Sequence, residues 1–131
     1  MSGLRIMKVQ GVRYRVVNKP AIKEHLFRAL REEWEEDEFN EEWYPQMSNW
    51  EWTVQTLKIS DVKLWEPLMK DPVFIRDLKR RTQEQIDMIL RNEAIEPVVV
   101  RRKDMVIYDG YARLHALKKL GKDETLAYIG K

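Results

Sequence analysis

The chain has 131 residues, of which 44% are hydrophobic and 35% charged, with a formal net charge of +2 and no cysteine. That length suits one domain, and the lack of cysteine excludes disulfides, thiolate metal sites and a cysteine nucleophile. No apolar run approaches the roughly 20 residues of a membrane helix, and the N-terminus lacks the apolar stretch of a signal peptide, so a soluble cytoplasmic protein is expected.

The surplus of Lys, Arg and Glu resembles thermophile surface chemistry. The charge is unevenly spread. Residues 1–31 hold eight Lys or Arg and one Glu, whereas residues 32–51 hold nine acids and no base. Such blocks read either as solvated faces that pair within the chain or as a basic surface for an anionic partner.

In chain order, residues 14–17 (YRVV) predict a short strand. Asn18 and Pro20 open a helix, since Asn caps and Pro suits a first turn. Its apolar face is Ile22, Leu26, Ala29 and Leu30, and it should run to about Trp34. The segment that follows, residues 34–52, is acidic and holds four of the five tryptophans. Disordered acidic tracts lack aromatics, so it is expected to cover the domain's own sheet or to dock a protein partner.

Residues 53–60 (TVQTLKIS) predict a second strand. Asp71-Pro72 marks a short helix with Phe74, Ile75 and Leu78 on its face. Thr82 and Gln85 form a capping box for another helix, with Ile86, Ile89 and Leu90 buried and an end near Asn92. Residues 95–101 (IEPVVVR) and 105–108 (MVIY) predict two strands of a hairpin. A last helix ends at Gly121, and residues 125–129 (TLAYI) predict the final strand.

Residues 108–121 (YDGYARLHALKKLG) carry the most chemistry. Gly110 has no Cβ, so backbone can approach a ligand there. The helix that follows starts with unpaired amides and a positive dipole end, a ready phosphate site. Arg113, in the first turn, could grip the same anion through paired hydrogen bonds. Asp109 could hold a metal ion or accept a proton. The same residues also suit an ordinary capped turn.

This motif and the order of elements around it resemble the ParB/sulfiredoxin superfamily, in its N-terminal ParB-like domain, over roughly residues 57–129. The resemblance rests on an apolar strand followed by Gly-x-x-Arg, here Gly110-Tyr111-Ala112-Arg113, opening a helix rich in Leu and Ala that ends at Gly121. It implies an α+β fold, a single compact ParB/sulfiredoxin-like domain with a small mixed sheet and packed helices. Residues 57–131 would form the nucleotide-binding core, and residues 1–56 an N-terminal extension packed on it.

It further implies that Gly110, Tyr111, Ala112 and Arg113 bind nucleotide phosphates, with ATP, ADP or CTP as ligand and Mg²⁺ held by those phosphates and Asp109. Sulfiredoxin chemistry needs a Cys where this chain has Tyr111. Partition-type relatives carry a Glu and an Arg where it has Tyr111 and Ala112, and a helix-turn-helix domain for which the ten residues after Gly121 leave no room, so partition-site reading and a CTP-driven clamp are not expected. Free-serine kinases of the superfamily share Asp109, Gly110 and Arg113 and use a Glu after the first core strand as base. Glu66 is the nearest candidate by position here, while the two His of the kinase turn are missing from this chain.

Phosphoryl transfer or NTP hydrolysis is therefore the leading expectation, with Asp109 and Glu66 as catalytic residues. The alternatives are a DNA-binding module, with or without nuclease activity, and a non-catalytic adaptor. DNA would meet the bases Arg101, Arg102 and Lys103 of the predicted hairpin turn, with Lys118 and Lys119. With only His25 and His115 and no Cys, a zinc site is not expected.

Overall fold

A computed structural model describes residues 4–33 and 47–131. The chain opens with a hairpin, β1 (Leu4–Val9) and β2 (Val12–Val17), turning at Gln10-Gly11 where both residues have positive φ. A short 3₁₀ turn at Lys19–Ala21 leads into α1 (Ile22–Glu33). Beyond the undescribed stretch come β3 (Trp52–Lys58), the single-turn helix α2 (Glu66–Met69) and the long helix α3 (Pro72–Leu90). β4 (Val98–Arg101), β5 (Val106–Asp109), α4 (Tyr111–Lys119) and β6 (Glu124–Gly130) complete the order.

The main sheet runs β3-β6-β4-β5. β6 is antiparallel to β3 and parallel to β4, so the sheet is mixed, as expected for this α+β fold. Six of the seven β6 residues are buried, because the sheet is covered on both faces. The Val, Leu and Ile of β4 and β6 form the centre of the core with Tyr14, Ile22, Leu114 and Leu117. The N-terminal hairpin joins this core directly. The Arg15 amide donates to the Ile95 carbonyl at 2.8 Å and the Ile95 amide to the Arg13 carbonyl at 2.9 Å. Buried Tyr14 reaches Thr125 of β6.

Four sequence expectations need correction, one being Leu90, expected on a buried stripe but 69% exposed at the end of α3. β1 was not foreseen. The two helices read at residues 71–78 and 82–92 are one, α3, whose Asp71 side chain accepts from the amides of Val73 and Phe74 at 3.0 and 3.3 Å. Thr82 lies inside that helix, 4% exposed, rather than at a start. Finally, Met105 sits in the hairpin turn with φ +61°, so β5 begins one residue later than expected. The acidic tryptophan-rich segment falls largely outside the described residues, as does Trp34.

Because Asp71 caps two amides of a 19-residue helix, Asp71→Ala is expected to cost about 1 kcal/mol. Chemical denaturation should show a lower midpoint with an unchanged slope.

Candidate functional site

The turn between β5 and α4 is set by local geometry. The β4–β5 register shifts between Val99 and Val100, which pair with Asp109 and Ile107, so Tyr108 is an extra residue in β5. This bulge turns the strand end just before Gly110, which adopts φ +104°. A Cβ at Gly110 would lie 2.8 Å from Val98 Cγ1, 3.1 Å from Val98 Cα and 3.0 Å from an Arg113 guanidinium nitrogen. Glycine therefore lets the turn press on β4 and lets Arg113 fold back over it.

α4 begins at the next residue. The Gly110 carbonyl accepts from the Leu114 amide at 2.9 Å, closing the first turn. The amides ahead of Leu114 have no acceptor within the helix, and the dipole places partial positive charge there. Arg113 Nη2 donates to Asp109 Oδ2 at 3.2 Å, and the two side chains are 16% and 20% exposed. Arg113 Nε is buried with no hydrogen-bond partner. The turn thus holds a half-satisfied guanidinium beside a helix start.

This turn borders a cavity of about 610 Å³ between α3, the β4–β5 hairpin and the start of α4. Trp65, Leu68 and Phe74 supply much of its apolar wall, and Phe74 packs edge-on against Tyr111 with ring centroids 5.4 Å apart. The Tyr111 hydroxyl accepts from the Trp65 amide at 3.2 Å and donates to the Ile107 carbonyl at 3.3 Å, tying the two walls together. Its ionisation is pushed up by burial, so it stays a neutral hydroxyl. Three arginines, Arg81, Arg101 and Arg113, line the same cavity with Glu84, Gln85 and Asp109.

The other sequence-predicted site residues fall in different places. Gly110, Tyr111, Ala112, Arg113 and Asp109 meet at the cavity. Glu66 does not line it; its side chain is 81% exposed and lies 3.9 Å from Lys70. Arg101 lines the cavity wall, where it grips Asp104 with two hydrogen bonds and lies 5.4 Å from the Tyr108 ring centre. That grip holds the Asp104 carboxyl below the usual range. Arg102 and Lys103 are exposed on the turn, and Lys118 and Lys119 are exposed at the far end of α4. His115 Nδ1 donates to the Tyr111 carbonyl at 2.8 Å, and His25 lies 3.3 Å from Glu96. Among the described residues no three His, Cys, Asp or Glu side chains gather into a metal site.

Sequence reasoning missed Arg81 and Gln85 on the cavity wall. Phe74, Leu78, Arg81 and Gln85 recur at spacings of four, three and four, which is one stripe of a helix. The signal was present but cut in two by reading a helix start at Thr82.

No family model matches the chain, and no curated protein does. Among solved structures, it is similar to the C2221 form of a Pnob8-like ParB-N domain, with a TM-score of 0.50 and 20% identity over 65% of this chain and 32% of that one. A second structure, a pNOB8-like ParB N-domain, aligns with a TM-score of 0.43 and 28% identity over 63% and 30%. The likeness takes in about a third of each of those chains. The chain carries a ParB-like fold.

Proposed function

We propose that this protein binds a nucleotide, with its phosphates at the Gly110–Arg113 turn and its base and sugar in the adjoining cavity. The observation that carries this reading is the conjunction at one point of a left-handed glycine, a helix start and a buried guanidinium with an unpaired nitrogen. Anions bind where first-turn amides and a helix dipole point outward. The cavity volume lies within the range of small-ligand sites, and its apolar and aromatic wall with a few polar groups is the usual lining.

The donor set fits a Mg²⁺ ion that arrives with the nucleotide. Asp109 offers one carboxylate, and Mg²⁺ commonly takes one or two carboxylates and completes its shell with phosphate and water oxygens. Bound there, the ion would neutralise phosphate charge. Asp109, the carboxylate next to the helix start, would accept a proton from an attacking water or hydroxyl. Phosphoryl transfer or hydrolysis would then rest on positioning and charge neutralisation. Glu66, exposed and outside the cavity, has no part in this arrangement.

A thermal-shift panel of ATP, ADP, CTP and GTP, with and without Mg²⁺, tests the reading. A nucleotide at a hundredfold excess over its Kd stabilises the fold by about 2.7 kcal/mol, a shift of several degrees. If no nucleotide moves the melting temperature, the reading fails.

A further inference from the structure

Residues 4–23 contain six Lys or Arg and no acid. Four of these bases, Arg5, Lys8, Arg13 and Arg15, lie on the β1–β2 hairpin. The register sets Ile6 opposite Arg15 and Lys8 opposite Arg13. Side chains alternate along a strand, so Ile6, Lys8, Arg13 and Arg15 share one face, while Val12, Tyr14 and Val16 turn into the core. The outcome is a two-stranded ribbon with an apolar inner face and a basic outer face.

The charge on that face is largely uncompensated. Among the described residues, Arg15 alone of the three bases on this face, Lys8, Arg13 and Arg15, meets a carboxylate, Glu96 at 3.9 Å. The Arg13 guanidinium donates to the Asn92 carbonyl at 3.0 Å, which orients it without neutralising it. Lys8 is exposed. The ribbon is also held in place. At its tip the Gln10 carboxamide oxygen accepts from the amides of Asp123 and Glu124 at 3.0 and 3.1 Å, and its nitrogen donates to the Asp123 carboxylate. Its β2 edge is bonded to Ile95.

We propose that the outer face of this hairpin is a docking surface for double-stranded nucleic acid, with Lys8, Arg13 and Arg15 on the phosphates. Charge complementarity favours a polyanion, and cations held on one face of a pre-ordered ribbon suit one whose charges lie along a fixed backbone. The major groove of a duplex admits a two-stranded β-ribbon. Leu4 and Ile6, 49% and 46% exposed, would add the apolar contact that thymine methyl groups accept. The surface is separate from the cavity, so this inference stands or falls independently of nucleotide binding.

The test is fluorescence anisotropy of a labelled mixed-sequence duplex with the full chain, between about 50 and 200 mM salt. Three phosphate contacts predict a log–log salt slope of about −3 and an affinity loss of roughly fortyfold over that range. Lys8→Gln with Arg13→Gln should reduce the slope by about two and weaken binding at least tenfold, with the melting temperature and nucleotide shifts unchanged. If the double variant melts lower, Lys8→Glu at an exposed position serves instead and should also weaken binding. The proposal is overturned by an absence of duplex binding at 50 mM salt, or by hairpin variants that bind as the parent does. It is equally overturned if binding depends on Arg102 and Lys103 instead, or if a single strand or anionic phosphatidylserine vesicles bind more tightly than the duplex.

Discussion

Gly110→Ala is expected to lower the melting temperature by about 10 °C or more. Two costs combine at that residue. At φ +104° a side chain is strained, at roughly 1–2 kcal/mol. The new Cβ would also collide with Val98, including its backbone, and overpacking a tight core costs typically about 1–3 kcal/mol more. Val98 is fully buried in β4, a central strand of the sheet, and cannot step aside. A sum near 3 kcal/mol corresponds to about 10 °C or more for a domain of this size. Gly121→Ala is the control. It shares a positive φ of +75° but has nothing within 4 Å, so it should show the backbone cost alone. Equal melting temperatures for the two variants would mean that the turn does not press on β4 as described.

Removing the Arg113 guanidinium should weaken nucleotide binding sharply while leaving the fold intact. Hydrogen bonds to charged groups contribute roughly 1.5–3 kcal/mol, so Arg113→Ala is expected to weaken binding by about one to two powers of ten. Arg113→Lys should recover only part of this, since an ammonium keeps the charge but not the planar fork. Asp109→Asn separates two roles. It frees Arg113 from its ion pair, so nucleotide binding without Mg²⁺ should tighten, while any gain from added Mg²⁺ should shrink. Isothermal titration with and without the metal reads both effects. An Arg113→Ala protein that binds nucleotide like the parent would place the phosphates elsewhere.

The elements that sequence revealed best are those whose signals are local. Gly110 and Gly121 bracket α4, and both adopt the positive φ that only glycine tolerates cheaply. The β4–β5 hairpin was legible because two β-rich runs flank a short charged turn. β1 was not, because Arg5 and Lys8 interrupt its apolar residues, and the strand is half-exposed at the edge of the fold. Its partner strand and the Gln10 contact with Asp123 lend it support that no local window contains. The false helix start at Thr82 has the opposite cause. A capping-box pattern is a local rule, but the apolar stripe from Phe74 through Leu78 continues to Ile89, and packing of that stripe outweighs the local preference.

The site was partly legible for the same reason. Asp109 to Arg113 are contiguous, so their meeting at one turn follows from the chain itself. The cavity is assembled from α3, the β4–β5 hairpin and α4, and nothing in the sequence says that Gln85 or Arg101 faces Arg113's turn. Glu66, chosen by order along the chain, shows the limit of that approach: the single turn of α2 leaves its side chain in solvent.

The position of β6 between β3 and β4 has a consequence for synthesis. Among the described residues β3 pairs with no strand except β6, and its residues precede those of β6 by about seventy positions. A nascent chain therefore carries an unpaired strand edge until residues 124–130 leave the ribosome. Tyr14 and Gln10 wait as long, since their partners Thr125 and Asp123 stand 111 and 113 residues away. Contacts so distant along the chain slow folding, and an unpaired edge invites pairing with other chains. The sheet of this domain therefore cannot close until β6 emerges, and its most aggregation-prone interval is the synthesis of the residues between β3 and β6.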